Sequence, residues 1–414
     1  MARIKDQTYG APRWSGEVAD CSMPMTMDQY SNCSFRCVYC FAAYQRGVGK
    51  GKAEYQRGDF KAVNPVTVKR IFTDPETSSS FGPYVKARKA LQWGGMSDPF
   101  CNFERKHRVG LDILRTLRDL EYPICFSTKG VWWLDDPEYV DLFKGNPNWN
   151  VKISIVTLDA AKAKVLERGV PSPGKRLDAL QRIAELDCGG ATLRLRPFMF
   201  GISEPRHLEL IQRAGEAGAT ALSTEFFCLE QRSINPEGLK VMSNLAGYDY
   251  AEFYRRYSAG SGYLRLNRNI KRPVVDAMEQ ACADAGMRFY ISDAHFKERC
   301  EGGSCCGLPE GWNYSRGQFT EAVVICRAKG EVRWPDIAWD MDYMKETPMK
   351  RTQLMQSSKG RAQFNDMTLY EYMRWLWNNP KAGQAPFRMF EGVMTPTSKD
   401  EDGDLVYTLD RSRL

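Results

Sequence analysis

Three cysteines within eight residues constrain this chain more than any other feature: Cys33, Cys37 and Cys40 in the run Cys33-Ser34-Phe35-Arg36-Cys37-Val38-Tyr39-Cys40-Phe41. At the chain's cysteine frequency, roughly 0.01 chance matches to C-x3-C-x2-C are expected, so the spacing is a chemical signal. Three thiolates on one short loop can hold three irons of a cubane, leaving the fourth iron open to a chelating group. A structural zinc wants four protein ligands, and no fourth Cys or His follows within the loop. The loop is therefore read as the seat of a [4Fe-4S] cluster, with Cys33, Cys37 and Cys40 as its ligands.

Thirteen cysteines are present in 414 residues. The start, Met1 to Gln7, has no apolar signal core, and no run approaches the eighteen or so apolar residues of a spanning helix. A cytoplasmic protein without a membrane partner is expected, and in a reducing compartment grouped cysteines read as metal or catalytic positions, not disulfides. With 43% hydrophobic and 26% charged residues the chain has a globular balance, which excludes fibrous and disordered classes. A net charge of +7 permits a polyanionic partner without requiring one.

From about 88 to 228, short β-rich runs alternate with helical patterns. Expected strands are 90–93, 123–127, 151–156, 192–196 and 219–223; expected helices are 105–120, 137–143, 173–186 and 205–217. A helix over 273–285 and a strand over 288–292 extend the series. Such alternation predicts an α/β fold with a parallel sheet, either a barrel or a doubly wound sheet, with the chemistry at the carboxyl ends of the strands. The chain divides into an N-terminal extension (1–28), an α/β unit (29–292) with an insertion or lid at 231–270, a Cys-rich metal-binding section (293–345), and a C-terminal tail (346–414) with a helix at 369–377.

The cluster loop and its aromatic, Tyr39, resemble the radical S-adenosylmethionine (SAM) superfamily. Within it, the spore photoproduct lyase-like branch, often labelled DNA repair photolyase, is the most similar. That likeness covers roughly residues 29 to 230. It rests on the loop, on Gly94-Gly95-Met96-Ser97-Asp98-Pro99-Phe100, on Phe126-Ser127-Thr128-Lys129, on Lys152-Ile153-Ser154-Ile155, and on the segment from Leu166 to Leu177. The resemblance implies a partial (β/α)6 barrel with a Cys-rich C-terminal extension, the cluster at its mouth, and SAM chelating the open iron. It also implies an electron donor such as a flavodoxin or ferredoxin, which reduces the cluster. Reductive cleavage of SAM would then give a 5′-deoxyadenosyl radical that abstracts a substrate hydrogen.

Candidate SAM contacts follow from position. Gly94 and Gly95 end a strand and would admit close backbone approach; superfamily members often carry a Glu next, where this chain has Met96. Lys129 would pair with the SAM carboxylate, Ser97 and Ser154 would hydrogen-bond carboxylate or ribose, and Arg196 and Glu225 are further candidates at strand ends. The lyases place a hydrogen-donating Cys where this chain has Gly95, and Cys101, six residues on, is the weak catalytic substitute.

A second group, Cys300, Cys305 and Cys306, is set among glycines in Cys300-Glu301-Gly302-Gly303-Ser304-Cys305-Cys306-Gly307, and Cys326 follows on a β-like run, 322–326. An auxiliary iron-sulfur cluster is the first reading, a structural zinc with His295 as a nitrogen ligand the second, and buried or redox-active thiols the third. Basic and aromatic residues interleave at 254–257, 265–272 and 372–377, a pattern that can stack bases and neutralise phosphates. Three functions stand open. One is a radical SAM enzyme of nucleic-acid repair or modification, and another is radical modification of a peptide or small metabolite aided by an auxiliary cluster. The third is a non-enzymatic, metal-stabilised nucleic-acid module.

Overall fold

The structure is a computed structural model that describes residues 4–5, 10–15, 18–43, 52–230, 235–259, 263–309, 311–314, 316, 318–352 and 359–413. Its centre is an eight-stranded sheet. In chain order the strands are β1 (Arg13–Trp14), β2 (Met25–Met27), β3 (Leu91–Trp93), β4 (Ile124–Thr128), β5 (Trp149–Ser154), β6 (Ala191–Phe198), β7 (Ala221–Phe226) and β8 (Arg288–Ile291). Spatial order repeats chain order from β1 at one edge to β8 at the other. From β2 to β8 every pairing is parallel, and only β1 runs antiparallel to its neighbour.

This order decides between the two forms that the alternation left open. A doubly wound sheet reverses its strand order at a switch point, whereas strands that advance in one direction with crossovers of one hand put their helices on one face, as in a barrel. The sheet takes in two strands, β1 and β2, from residues that the sequence reading gave to an N-terminal extension. Both are only two or three residues long, too short for periodicity to register.

Alternation along the strands separates the faces. Trp149, Val151 and Ile153 of β5 lie in the apolar core, as do Ile124 and Phe126 of β4 and Leu193 and Leu195 of β6. The intervening Asn150, Lys152 and Ser154 are buried as well, so the opposite face of the sheet is polar. Helices start where the sequence supplies caps. Asp136, Asp159 and Ser172 each accept a backbone N–H of the helix that follows, Pro137–Phe143, Ala160–Leu166 and Pro173–Glu185, and proline at N1 suits two of them.

The helix expected over 105–120 is two helices, Asn102–His107 and Val109–Asp119, broken at Arg108 with φ 52°. Buried Glu104 explains the break. Its carboxylate accepts the N–H groups of Gly110 and Leu111 and the hydroxyls of Tyr30 (2.8 Å) and Tyr139 (2.6 Å), so a side chain caps the second helix from within the first. The run 322–326 lies inside a helix, Phe319–Lys329, not a strand: Phe319, Ala322, Val323 and Cys326 are buried at helical spacing, and packing overrides local propensity.

Parts of the expected insertion, 231–234 and 260–262, lie outside the described residues. The rest of it holds helices Pro236–Ala246 and Tyr250–Tyr257. Beyond β8 the chain turns beneath the amino ends of the strands. Ser223 Oγ donates to the Cys305 carbonyl (2.8 Å), Thr192 Oγ1 to that of Gly307 (3.2 Å), Ala90 N to that of Tyr314 (3.3 Å), and Trp312 Nε1 to that of Pro147 (3.1 Å). Residues 305–309 and 311–314 thus form a floor under the polar face. A three-stranded sheet of Glu331–Val332, Leu405–Leu409 and Met394–Lys399, together with helix Leu369–Trp377, completes the chain and shares its apolar core with the large sheet.

Candidate functional site

Strand β2 leads into the cysteine loop at the carboxyl ends of the strands. Asn32 fixes the entry: its Oδ1 accepts Cys33 N (2.8 Å), and its Nδ2 donates to Asp59 O (3.0 Å). Val38 N donates to Leu166 O (2.8 Å), and the Tyr39 hydroxyl donates to the Glu167 carboxylate. Glu167 also takes Arg176 Nη2 at 2.6 Å, and Arg176 Nη1 reaches Ser154 O at 2.6 Å. The aromatic before the third cysteine is therefore an anchor between the loop and the segment after β5. Lys129, just past β4, has its ammonium 5.7 Å from the Tyr39 ring centre.

The three thiols face one another and Lys129. Burial raises Cys37 well above the ordinary thiol range, with Lys129 opposing. Cys40 is raised by burial and by Cys33, again against Lys129. Thiols so costly to ionise bare suit a site whose metal supplies the countercharge. Among the described residues no group of three or more His, Cys, Asp or Glu side chains is gathered round a point where one metal ion would sit. A cubane does not ask for that, because each thiolate takes its own iron.

Cys101 is buried in a small apolar cluster against which Cys33 packs. The loop around it folds back, with Asn102 N donating to Ser34 Oγ (2.9 Å). The weak catalytic candidate thus stands against the first cysteine of the loop.

At the strand ends, Asp98 joins β3 to β4: its carboxylate accepts Thr128 Oγ1 (2.6 Å), Lys129 N (2.6 Å) and Phe100 N (2.9 Å). Burial nonetheless raises its pKa. Asp28, directly after β2, accepts Met96 N and Ser97 N at 2.8 Å each, and Arg13 Nη2 at 2.7 Å. A carboxylate does therefore serve the segment after the two glycines, but it comes from another strand and is spent on the backbone.

Gly94 has φ 98°, and a Cβ there would stand 2.5 Å from Ser127 O, so the packing of β3 on β4 alone requires glycine. A Cβ on Gly95 would meet only the tip of Arg13 (3.1 Å) and Thr26. Ser97 and Ser127 are buried, and their hydroxyls have no hydrogen-bond partner among the described residues. Two unpartnered hydroxyls beside a lysine cation fit a polar ligand bearing a carboxylate, as SAM is.

Ser154 Oγ receives Arg194 Nη1 at 3.5 Å. Arg196 and Glu225 pair with each other across β6 and β7. Arg194 went unremarked in the sequence. Burial first, and then Arg196, lower its pKa to about 10, and no carboxylate pairs with it among the described residues. Its signal was in the alternation: Thr192, Arg194 and Arg196 put polar groups at every second position of β6, as Asn150, Lys152 and Ser154 do on β5.

The second cysteine group is divided. Cys300 Sγ donates to Ile291 O (3.0 Å), and Cys326 Sγ faces Tyr407 O (3.5 Å). His295 Nε2 lies 2.6 Å from Glu391, and its Nδ1 is buried without a hydrogen-bond partner among the described residues. Helix Phe319–Lys329 turns Cys326 toward the C-terminal sheet and the end of β8 holds Cys300, so among the described residues these cysteines are not gathered for a single zinc ion. Cys305 and Cys306 remain together in one packed cluster with Cys125, and Cys306 N donates to Ser304 Oγ (3.3 Å).

No family model matches the chain, and no curated protein matches it. Among solved structures, Streptococcus suis SuiB bound to precursor peptide SuiA matches over 67% of this chain and 51% of its own, with 15% identity and a TM-score of 0.41. SuiB bound to S-adenosylmethionine matches over 67% and 52%, with 13% identity and a TM-score of 0.39. The chain spans about half the length of the SuiB chains it matches.

Proposed function

We propose that the chain is a radical SAM enzyme acting on a peptide or small metabolite. One observation carries the class: a three-cysteine loop beside an ammonium and two buried, unpartnered hydroxyls, all at the carboxyl ends of parallel strands. Cys33, Cys37 and Cys40 would hold the [4Fe-4S] cluster, Lys129 the SAM carboxylate, and Ser97 and Ser127 its polar atoms. When bound, the cluster and SAM supply a one-electron reduction that breaks a carbon-sulfur bond and yields a hydrogen-abstracting radical. The chain's own part is to orient and to exclude water. Tyr39, Glu167 and Arg176 fix the loop, and the floor at 305–309 and 311–314 closes the amino end of the polar face.

The substrate class follows from where the basic stretches spend their charge. Arg268 pairs with Glu298 at 2.6 Å, and Lys271 is buried against Asp293 at 2.7 Å. Tyr254 is buried with its hydroxyl on Phe227 O, and Arg374 is held by Asp404 at 2.8 Å. Side chains so engaged are poor phosphate ligands, which favours a peptide or metabolite over a nucleic acid.

The test is anaerobic reconstitution with iron and sulfide, followed by reduction in the presence of SAM. Formation of 5′-deoxyadenosine by the wild type and its absence in Cys37→Ala is expected; none from a wild type carrying about four irons overturns the class. Salt-dependent binding of DNA or RNA would return the substrate to nucleic acid.

A further inference from the structure

The outer side of the cysteine loop faces solvent, and its surroundings carry charge that the SAM contacts do not use. The residues Cys33, Cys37 and Cys40 are each partly exposed, and Phe41, directly after the third of them, is 50% exposed. Two helices flank the loop, Lys52–Arg57, which has no buried residue, and Asn102–His107. The first is tied to the loop by Asn32 Nδ2, which donates to Tyr55 O (3.4 Å), and by Arg36 Nη2, which donates to the carbonyls of Tyr55 and Gln56 (2.8 Å to the second). The second is tied by Asn102 N on Ser34 Oγ (2.9 Å), and its Phe103 stacks on Phe60 with ring centres 4.0 Å apart.

Arg36, Lys52, Arg105 and Lys106 are all exposed on these elements. Arg36 spends its hydrogen bonds on carbonyls and so keeps its charge. Lys52, Arg105 and Lys106 have no acidic partner among the described residues. Glu54 and Asp59 lie on the first flank, but Lys61 (3.8 Å) and Arg57 (2.7 Å) answer them, and Glu104 on the second is buried. The surface round the loop therefore keeps a net positive charge beside an exposed aromatic ring, the polar rim and apolar contact of a protein interface.

We propose that Arg36, Lys52, Arg105, Lys106 and Phe41 form the docking surface of an acidic one-electron carrier protein that reduces the cluster through the loop, an inference that rests on the radical SAM reading. Each reductive cleavage consumes one electron, which has to arrive from outside the chain. One electron leaves the carrier, oxidised by one, and enters the cluster, reduced by one; no bond forms or breaks. Electron-transfer encounters are small and transient, burying less than about 1,200 Å², and opposite charge speeds them by steering the approach. A few unpaired cations on the side where the cysteines reach the surface suit such an encounter. A nucleic acid would meet the same charge but has no electron to give, and the partly exposed cysteines beside Phe41 favour the carrier.

The test mixes the full chain, reconstituted with iron and sulfide, with an anaerobically reduced acidic flavodoxin and follows the loss of cluster absorbance in stopped flow. Reduction of the wild type is expected to be roughly tenfold faster at low salt than at high salt. Arg105→Glu combined with Lys106→Glu, at equal iron content, slows the low-salt reaction roughly tenfold and removes most of its salt dependence. Lys52→Glu, on the other flank, slows it by a smaller factor and decides alone if the double variant does not hold iron. Calorimetric titration of oxidised flavodoxin into the loaded chain gives weaker binding for both variants. Equal low-salt rates in the loaded wild type and the loaded variants overturn the proposal, as does a loss of duplex DNA binding in variants that flavodoxin still reduces at the wild-type rate. A wild type that takes up no iron overturns the radical SAM reading first and the carrier with it, so the iron count tells the two failures apart.

Discussion

Arg176 Nη2 lies 2.6 Å from Glu167 Oε2, with both side chains buried, and the Tyr39 hydroxyl donates to the same carboxylate. Nine residues apart in sequence, this pair ties the cysteine loop to the start of helix Pro173–Glu185. Removing one partner of a buried pair leaves the other charge uncompensated and costs about 3–5 kcal/mol. Arg176→Met should therefore lower the unfolding free energy of the metal-free protein, measured by urea titration, by that amount, and Tyr39→Phe by only about 1–3 kcal/mol, the cost of one unmade hydrogen bond to a buried acceptor. Equal midpoints for Arg176→Met and wild type would show that the pair does not hold the loop.

Gly94→Ala tests whether the first glycine serves the fold or a ligand. The backbone sits at φ 98°, and the new methyl would meet Ser127 O at 2.5 Å. Strain of this kind costs on the order of 1–3 kcal/mol before the overlap is counted. A lower melting temperature in the metal-free variant is expected. An unchanged melt with lost SAM binding would assign Gly94 to the ligand instead.

His207 makes stability depend on pH. The imidazole is buried against Phe198 (ring centres 5.2 Å apart), and both nitrogens lack hydrogen-bond partners among the described residues. Burial lowers its pKa from 6.5, with Glu204 opposing. The unfolded chain then binds the proton more readily than the folded one, so stability is full above about pH 6.5 and falls as pH drops from there toward the lowered value. Urea midpoints at pH 7.5 and pH 5.5 should differ less in His207→Phe than in the wild type. An identical pH dependence would show that this histidine is not the source.

Arg374→Ala separates a structural arginine from a phosphate ligand. Its guanidinium donates to Asp404 from Nε (2.9 Å) and Nη2 (2.8 Å), and Asp404 also takes Asn378 Nδ2 (2.6 Å). Asp404 keeps the Asn378 bond, so a loss of about 1–2 kcal/mol is expected, within the range of hydrogen bonds to charged groups. Binding to a DNA or RNA duplex, measured across salt concentrations, should be unchanged. A salt slope reduced by about one contact would restore this stretch to a nucleic-acid surface.

The cysteine loop, the alternation of strands and helices, and Ser97, Lys129 and Ser154 at strand ends were legible because each rests on local spacing. Cluster chemistry needs thiols a few residues apart, and a parallel sheet needs its crossover helices. What the sequence left open were relations between distant segments. Strand order made the sheet barrel-like in its winding, since alternation alone is common to both forms. Glu104, capping a helix from inside another, broke a helix that periodicity had joined. Asp28 supplied the carboxylate missing at Met96, from a strand too short to be recognised. The four cysteines at 300, 305, 306 and 326 looked like one centre because they are neighbours in the chain. The fold sent Cys326 to the C-terminal sheet, Cys300 to the end of β8 and Cys306 into a packed cluster with Cys125, because packing between distant strands, which local spacing does not record, decides where each thiol lies.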